Sequence, residues 1–282
     1  MAETVTRFAP SPTGRLHLGH AHSALFGWRR AREAGGRFLL RIEDIDGTRC
    51  RPEFIHGILE DLAWLGLDWD GAVRIQSQHP ADHRRALDRL DADGLLYPCF
   101  CTRADIAAEI ACAGGAPHGP EGQLYPGICR ALAPGAARAR IAAGAPHALR
   151  LDMAKARART GPLAWRDHRR GRQEARPETL GDVVLARKET PTSYHLAVTV
   201  DDALQGVTLV TRGEDLFHAT HVHRLLQALL DLPVPEWDHH SLLTDATGRR
   251  LAKRDKAETI EALRASGRSP AELRAMAGFA DR

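Results

Sequence analysis

Apolar and polar positions along the chain separate into distinct blocks. The opening TVTRFAPSPTG reads as a short strand that gives way to a loop. Proline has no N–H to offer a central ladder, so Pro10 and Pro12 mark the loop, and Gly14 admits a tight turn. The next block, LGHAHSALFGWRRARE over 18–33, repeats its apolar positions at helical spacing and stops at Gly35 and Gly36. RFLLRIEDI follows as a compact apolar run between glycines and DIDGT, the signature of a parallel strand buried on both faces. Strand, loop, helix and strand within about forty residues make a βαβ unit. A further amphipathic helix is predicted from Pro52 to Leu65, so the first ninety or so residues predict a doubly wound α/β domain.

The pattern changes near residue 97. From YPCFC to about Glu189 the chain is rich in Ala, Gly, Pro and Arg and has only short apolar runs, which predicts an insertion lying over the α/β core. SYHLAVTVDDALQGVTLVTRGEDL then alternates apolar and polar residues as strands do, and ATHVHRLLQALL reads as a helix. Two short helices, AETIEALRAS and SPAELRAMAGF, are predicted in the tail. The expected organisation is a first half of the core over 1–96, an insertion over 97–189, a second half over 190–256 and short C-terminal helices over 257–282. No internal repeat or low-complexity linker interrupts it.

Composition narrows the classes. A chain of 282 residues can bury a sizeable core. It has no run of about twenty apolar residues that would span a bilayer. MAETVTRFAP lacks the basic start and apolar stretch of a secretory signal, so the expected location is the cytoplasm, with no membrane partner. The net charge of +3 permits a nucleic-acid partner without requiring one. Cys50, Cys99, Cys101, Cys112 and Cys129 are an odd set, which points to reduced thiols or a metal site rather than a disulfide framework.

Three groups of residues carry candidate chemistry. At the predicted helix start lies HLGH, His17 to His20. Helix N-termini present unpaired N–H groups and the positive end of the dipole, which suits a phosphate. Gly19 allows close approach to the backbone, and two imidazoles can donate hydrogen bonds to phosphoryl oxygens as charge builds on them. Far along the chain, GRRLAKRDK places Lys253 among arginines in a glycine-preceded loop able to reach a triphosphate and stabilise leaving pyrophosphate. Cys99-x-Cys101 and Cys129 provide three thiolates, the soft ligation typical of zinc. On chemistry alone the fourth ligand is His118.

HLGH and RLAKR resemble the two signature motifs of class I aminoacyl-tRNA synthetases. The longer stretches RFAPSPTGRLHLGHAHSALF, RIEDIDGTR, VDDALQGVTLVTRGEDL and LTDATGRRLAKRDK resemble the glutamyl-tRNA synthetase branch, in the same order and across Arg7 to Lys256. This resemblance implies a Rossmann-type class I catalytic core. It implies ATP, bound with Mg2+, at His17, Gly19, His20, Arg250, Lys253 and Arg254, with His17, His20 and Lys253 catalytic. It implies L-glutamate at Arg7, Phe8, Ala9, Pro10, Ser11, Glu43, Tyr194 and Arg212. Such a pocket is chemically coherent: Arg7 and Arg212 offer forks for carboxylates, Glu43 a counter-charge for the ammonium, and Tyr194 a hydroxyl. The cysteine region resembles a zinc-binding insert in which a tyrosine completes the set, implying one structural Zn2+ on Cys99, Cys101, Tyr125 and Cys129. One departure stands out: the family's usual serine is Ala252 and its usual first lysine is Arg250, so pyrophosphate stabilisation is expected to rest on Lys253, with Arg250 and Arg254 in support.

Only 29 residues follow Lys253, where full-length members of the branch continue into anticodon-reading helical domains. That layout resembles shortened members, implying a protein that activates glutamate and esterifies it to queuosine in the anticodon of tRNA(Asp); a monomer is expected. Conventional charging of tRNA(Glu) is the alternative within the family, and an HxGH nucleotidyltransferase without tRNA the alternative outside it.

Overall fold

A computed structural model describes residues 3–112, 118–119, 122–187, 189–243 and 258–280. The first unit is the expected one: β1 (Val5–Phe8), α1 (Leu18–Glu33) and β2 (Arg37–Ile42), with β1 and β2 parallel from Val5 opposite Arg37 to Phe8 opposite Leu40. Gly35 ends α1 with a left-handed φ of 61°, a conformation glycine adopts without a Cβ penalty. Gly36 then passes so close to Thr4 that a Cβ there would lie 2.0 Å from the Thr4 carbonyl oxygen. The glycine pair thus both turns the chain and lets β2 start beside β1. α2 (Pro52–Trp64) leads to β3 (Arg74–Ile75), which adds in parallel to the far side of β2.

After α3 (Pro80–Ala92) comes a smaller antiparallel layer. β4 (Leu96–Cys99) pairs with β7 (Ala148–Leu151), and β7 pairs with β10 (Val184–Ala186). Between β4 and β7 lie α4 (Arg103–Cys112), the short pair β5 (His118–Gly119) and β6 (Gly122–Gln123), and α5 (Pro134–Ala142). α6 (Met153–Thr160) precedes β8 (Ala164–Asp167) and β9 (Gly171–Glu174). The chain then returns through α7 (Tyr194–Leu204), β11 (Leu209–Gly213), α8 (Ala219–Leu229) and β12 (Glu236–His240). β11, β12, β8 and β9 form one sheet in that order. Residues 164–174, within the stretch expected as an insertion, therefore lie in the same sheet as the returning strands.

The two parallel regions meet at β1 and β11, where the Thr208 N–H donates to the Val5 carbonyl at 3.0 Å. On one side of this seam the chain crosses to β2, and on the other it runs to β12. Such a switch point, at the carboxyl ends of parallel strands, is where open α/β sheets bind ligands.

One element differs from its sequence pattern. Residues 194–204 read as an alternating strand but form α7. The cause is burial on every side: Leu196 to Asp202 are all buried, so no polar face exists to show a helical period. Ser193 caps the helix by accepting the Leu196 N–H at 3.4 Å.

The tail helices α9 (Ile260–Ala265) and α10 (Pro270–Met276) are present as expected, and Ile260, Leu263 and Leu273 pack with Leu16, Ile58 and Leu62 in the core of the first unit. Beneath them Asp61 is fully buried, and neither carboxylate oxygen accepts a hydrogen bond among the described residues. Burial pushes its carboxyl up to about 6, against the pull of Arg15 and Arg264. An acid with a raised folded pKa favours the folded state below its ordinary pKa and opposes it as pH climbs through the folded value. Asp61→Asn is therefore expected to raise the melting temperature by about 2–4 °C at pH 7.5, with the gain vanishing near pH 4. Thermal melts at the two pH values check it.

Candidate active site

At the start of α1 the two histidines cap the helix reciprocally. His17 Nδ1 accepts the Gly19 N–H at 3.2 Å, and His20 Nδ1 accepts the His17 N–H at 3.3 Å. The rings lie 3.8 Å apart between centroids. Because each Nδ1 takes a backbone proton, each Nε2 carries the ring hydrogen. The caps thus give both imidazoles the donor tautomer that a phosphoryl oxygen requires. A Cβ on residue 19 would sit 3.1 Å from His17 Cε1, so glycine is what lets the first ring fold back over the turn. Thr259 bridges to His17, and the Ile260 N–H donates to the Leu16 carbonyl at 2.9 Å. Lys253 is six residues before Thr259 in the sequence. Arg250, Ala252, Lys253 and Arg254 lie outside the described residues.

At the seam between β1 and β11 lies a buried charge cluster. Arg7, on β1, donates from Nε to Asp202 Oδ1 at 3.0 Å and from Nη2 to Oδ2 at 3.3 Å, while Nη1 reaches the Thr211 carbonyl at 3.2 Å. Arg41, on β2, spans Asp202 at 2.8 Å and Glu43 at 3.2 Å. Glu43 is the first residue past β2, and its N–H donates to the Pro10 carbonyl at 3.0 Å, which fastens the 9–11 loop over the strand ends. Burial pushes the Glu43 carboxyl up, and the Arg41 and Arg7 guanidinium groups oppose that push.

Arg212, near the end of β11, is held differently. It is only 6% exposed, yet its partners are Tyr194 Oη at 3.1 Å, His223 Nδ1 at 3.3 Å, Thr220 Oγ1 at 2.6 Å and His239 Nε2 at 3.2 Å. All four are neutral acceptors, and among the described residues no carboxylate pairs with it. Arg7 is thus paired with Asp202 and Arg41 with Asp202 and Glu43, with Asp201 adding to the field on Arg41, whereas Arg212 has no carboxylate in contact among the described residues. Burying a lone cation is expensive, and an anionic ligand relieves that cost.

Ser11, Glu43 and Tyr194 line one end of a cavity of about 550 Å3. Its walls continue past Asp46, Gln76 and Gln123 to Tyr125 and Asp182, a volume in the range of small-molecule sites. Arg7 and Phe8 are buried on β1, Ala9 and Pro10 lead into the loop, and Ser11 is exposed at the cavity rim. Of the eight residues expected around glutamate, Ser11, Glu43 and Tyr194 line this cavity, Arg212 is bonded to Tyr194 behind it, and Phe8 packs into the core.

At the far end, the sulfur atoms of Cys99, Cys101 and Cys129 lie within 4.8 Å of one another. Tyr125 Oη is 3.4 Å from Cys99 Sγ and 3.6 Å from Cys101 Sγ, and Cys101 and Cys129 are 3.4 Å apart. A tetrahedral zinc with usual bond lengths has ligand edges of about 3.5–3.8 Å, so the donor set matches in kind and in size. Tyr125 Oη also accepts the Cys129 N–H at 2.8 Å, and Arg150 stacks 3.9 Å from the centre of its ring. The side chains of His118 and Cys112 lie outside the described residues.

Several of these residues escaped the sequence reading. Asp202 stood in the quoted VDDAL stretch without a role. Arg41 also had none, although it lies two residues before Glu43 on an extended run and hence on the same face, which is the available signal. His223 and His239 carried none, because their partners are distant in sequence.

A parallel α/β core, a histidine-capped helix start and a cation-rich pocket at the strand ends define a class I synthetase catalytic domain. The family description "tRNA synthetases class I (E and Q), catalytic domain" matches residues 3–278, and the chain belongs to that family. Among curated relatives, the glutamyl-Q tRNA(Asp) synthetase of Rhodobacter capsulatus is 53% identical over 98% of this chain and 100% of its own. That of Symbiobacterium thermophilum is 46% identical over 94% of this chain and 82% of its own. A glutamate–tRNA synthetase structure from Elizabethkingia anophelis superposes with a TM-score of 0.84 at 27% identity, covering 99% of this chain and 61% of the larger protein. The present chain thus spans about three fifths of that solved synthetase. No described helix is long and apolar enough to cross a membrane.

Proposed function

We propose that this protein activates L-glutamate with ATP, bound with Mg2+, and transfers it to queuosine in the anticodon of tRNA(Asp). The observation that carries the first half is Arg212, a buried guanidinium held among the described residues by neutral groups alone, one of which, Tyr194, lines the cavity with Glu43. Glutamate supplies what that cluster needs, since it carries two carboxylates and one ammonium and so a net negative charge. Its α-carboxylate is the nucleophile and must stay open to ATP. The buried guanidinium of Arg212, whose Nη2 keeps one N–H beyond the bond to Thr220, therefore takes the side-chain carboxylate, and Glu43 takes the ammonium.

In the first step an α-carboxylate oxygen attacks the α-phosphorus of ATP in line, a P–O bond forms, and pyrophosphate leaves. His17 and His20 donate Nε2–H to the α-phosphoryl oxygens as charge develops there, and Lys253 stabilises the departing pyrophosphate. Gly19, Arg250 and Arg254 complete the ATP site. Mg2+, when bound with ATP, neutralises phosphate charge. In the second step a hydroxyl of the queuosine cyclopentene-diol attacks the glutamyl carbonyl and AMP leaves. The names of the relatives from Rhodobacter and Symbiobacterium support this acceptor. The cavity's continuation from Glu43 towards Tyr125 supports room for it beside the amino acid.

Cys99, Cys101, Tyr125 and Cys129 would hold one Zn2+. Four protein ligands leave no open position, so the ion would stabilise the knuckle after β4 rather than take part in chemistry. The organisation belongs to the same reading: core halves at 1–96 and 190–256, a zinc-bearing insertion within 97–189 and tail helices at 257–282, in a cytoplasmic monomer.

The test of the activation step is ATP–pyrophosphate exchange. Exchange is expected with glutamate and to fall to background without it. Exchange independent of any amino acid would instead identify a nucleotidyltransferase built on the same loop.

A further inference from the structure

Arg212 is gripped from behind by a chain of buried polar groups that reaches well away from the cavity. His239 Nδ1 lies 2.7 Å from Asp167 Oδ2, and both side chains are fully buried. Asp167 Oδ1 accepts the N–H groups of Arg169 and Arg170, each at 2.9 Å, which holds the carboxylate in place at the end of β8. The His239 ring is packed against the edges of Trp165 and Phe217. Burial and the neighbouring Arg212 push its imidazole down to about 3, so it is neutral in the working range. A neutral imidazole has one N–H, and Asp167 draws it to Nδ1. Nε2 is then a lone pair, 3.2 Å from Arg212 Nε. On the other side His223 Nδ1 accepts from Arg212 Nη1, and His223 Nε2 faces His195 Nδ1 at 3.2 Å.

We propose that Asp167 and His239 are positioning residues that set the preference of this site for glutamate over glutamine. The carboxylate fixes the imidazole tautomer. The imidazole, with Thr220 and His223, then orients the Arg212 fork without neutralising it. A carboxylate placed directly on Arg212 would orient it equally well but would cancel the charge that distinguishes an acid from its amide. Here the carboxylate of this hydrogen-bonded relay, Asp167, stands one imidazole away. The inference rests on the glutamate reading above and adds how the protein keeps that cation available.

Asp167→Asn tests it. The two backbone N–H groups of residues 169 and 170 retain the amide oxygen, so the NH2 group faces His239 Nδ1. The ring proton is then forced to Nε2, where it opposes the Arg212 Nε–H. Glutamate-driven exchange is expected to show a KM for glutamate raised about tenfold, the size of a lost hydrogen bond to a charged group. The KM for ATP should stay within about twofold, and the glutamate-over-glutamine ratio should fall by a factor similar to the glutamate loss. In an His239→Gln background, where an amide oxygen meets Arg212 and no tautomer exists, Asp167→Asn should act less than about threefold. His223→Glu puts a carboxylate on Arg212 from α8 and is expected to erase the preference for glutamate. The proposal is overturned if Asp167→Asn leaves the glutamate KM unchanged, if it raises glutamate and ATP KM alike in both backgrounds, or if His223→Glu keeps the wild-type preference. Wild-type protein that fails to exchange with glutamate would instead remove the functional reading itself.

Discussion

Arg212→Ala is expected to lower kcat/KM for glutamate in ATP–pyrophosphate exchange by about a thousandfold, the combined loss of a charge-assisted hydrogen bond and of the buried positive charge that attracts the substrate carboxylate. The substitution also leaves Tyr194, Thr220, His223 and His239 facing a void, so a control is needed. Arg212→Lys keeps the charge but replaces a planar fork with a point charge, and is expected to lose about a hundredfold. In both variants the KM for ATP should be near that of the wild type, because the capped histidines of α1 lie on a separate element. Equal losses for ATP and glutamate would mean that Arg212 supports the fold rather than the substrate.

Cys129→Ser is the second large effect. Cys129 is buried, its sulfur accepts the Phe100 N–H at 3.3 Å, and its own N–H donates to Tyr125 Oη. Metal analysis of the wild-type protein is expected to give one zinc per chain, and of Cys129→Ser less than about a tenth of that. The melting temperature should fall by about 5–10 °C, since the knuckle after β4 has few buried apolar residues to replace the metal's contribution. Tyr125→Phe should weaken zinc retention against a chelator while His118→Ala leaves it intact. The reverse order would give the fourth ligand to His118. Zinc-free wild-type protein would end the metal assignment.

The sequence pattern revealed most where local physics acts alone. The β1–α1–β2 unit follows from an apolar run, a proline-marked loop and a glycine pair. The loop chemistry at His17 to His20 was readable because helix caps and phosphate sites obey the same local rules. α7 was misread because a helix buried on all sides loses the periodicity that identifies it. Arg7 illustrates a different limit. Its presence in a motif pointed to a substrate carboxylate, but its bidentate partner Asp202 comes from a helix 195 residues away. Only the closed fold shows that Arg7 and Arg41 are already matched by acids and that Arg212 is the cation left over. The support behind Arg212 was illegible for the same reason: Asp167, Thr220, His223 and His239 come from three elements whose meeting no local pattern encodes.

The central claim is that glutamate is delivered to queuosine, and one measurement addresses it directly. Purified protein is given labelled glutamate, ATP and tRNA(Asp) prepared with or without queuosine, with tRNA(Glu) lacking queuosine alongside. Label is expected on queuosine-containing tRNA(Asp) alone. Equal labelling of the queuosine-free tRNA(Glu) would contradict the account and make the protein a conventional charging enzyme.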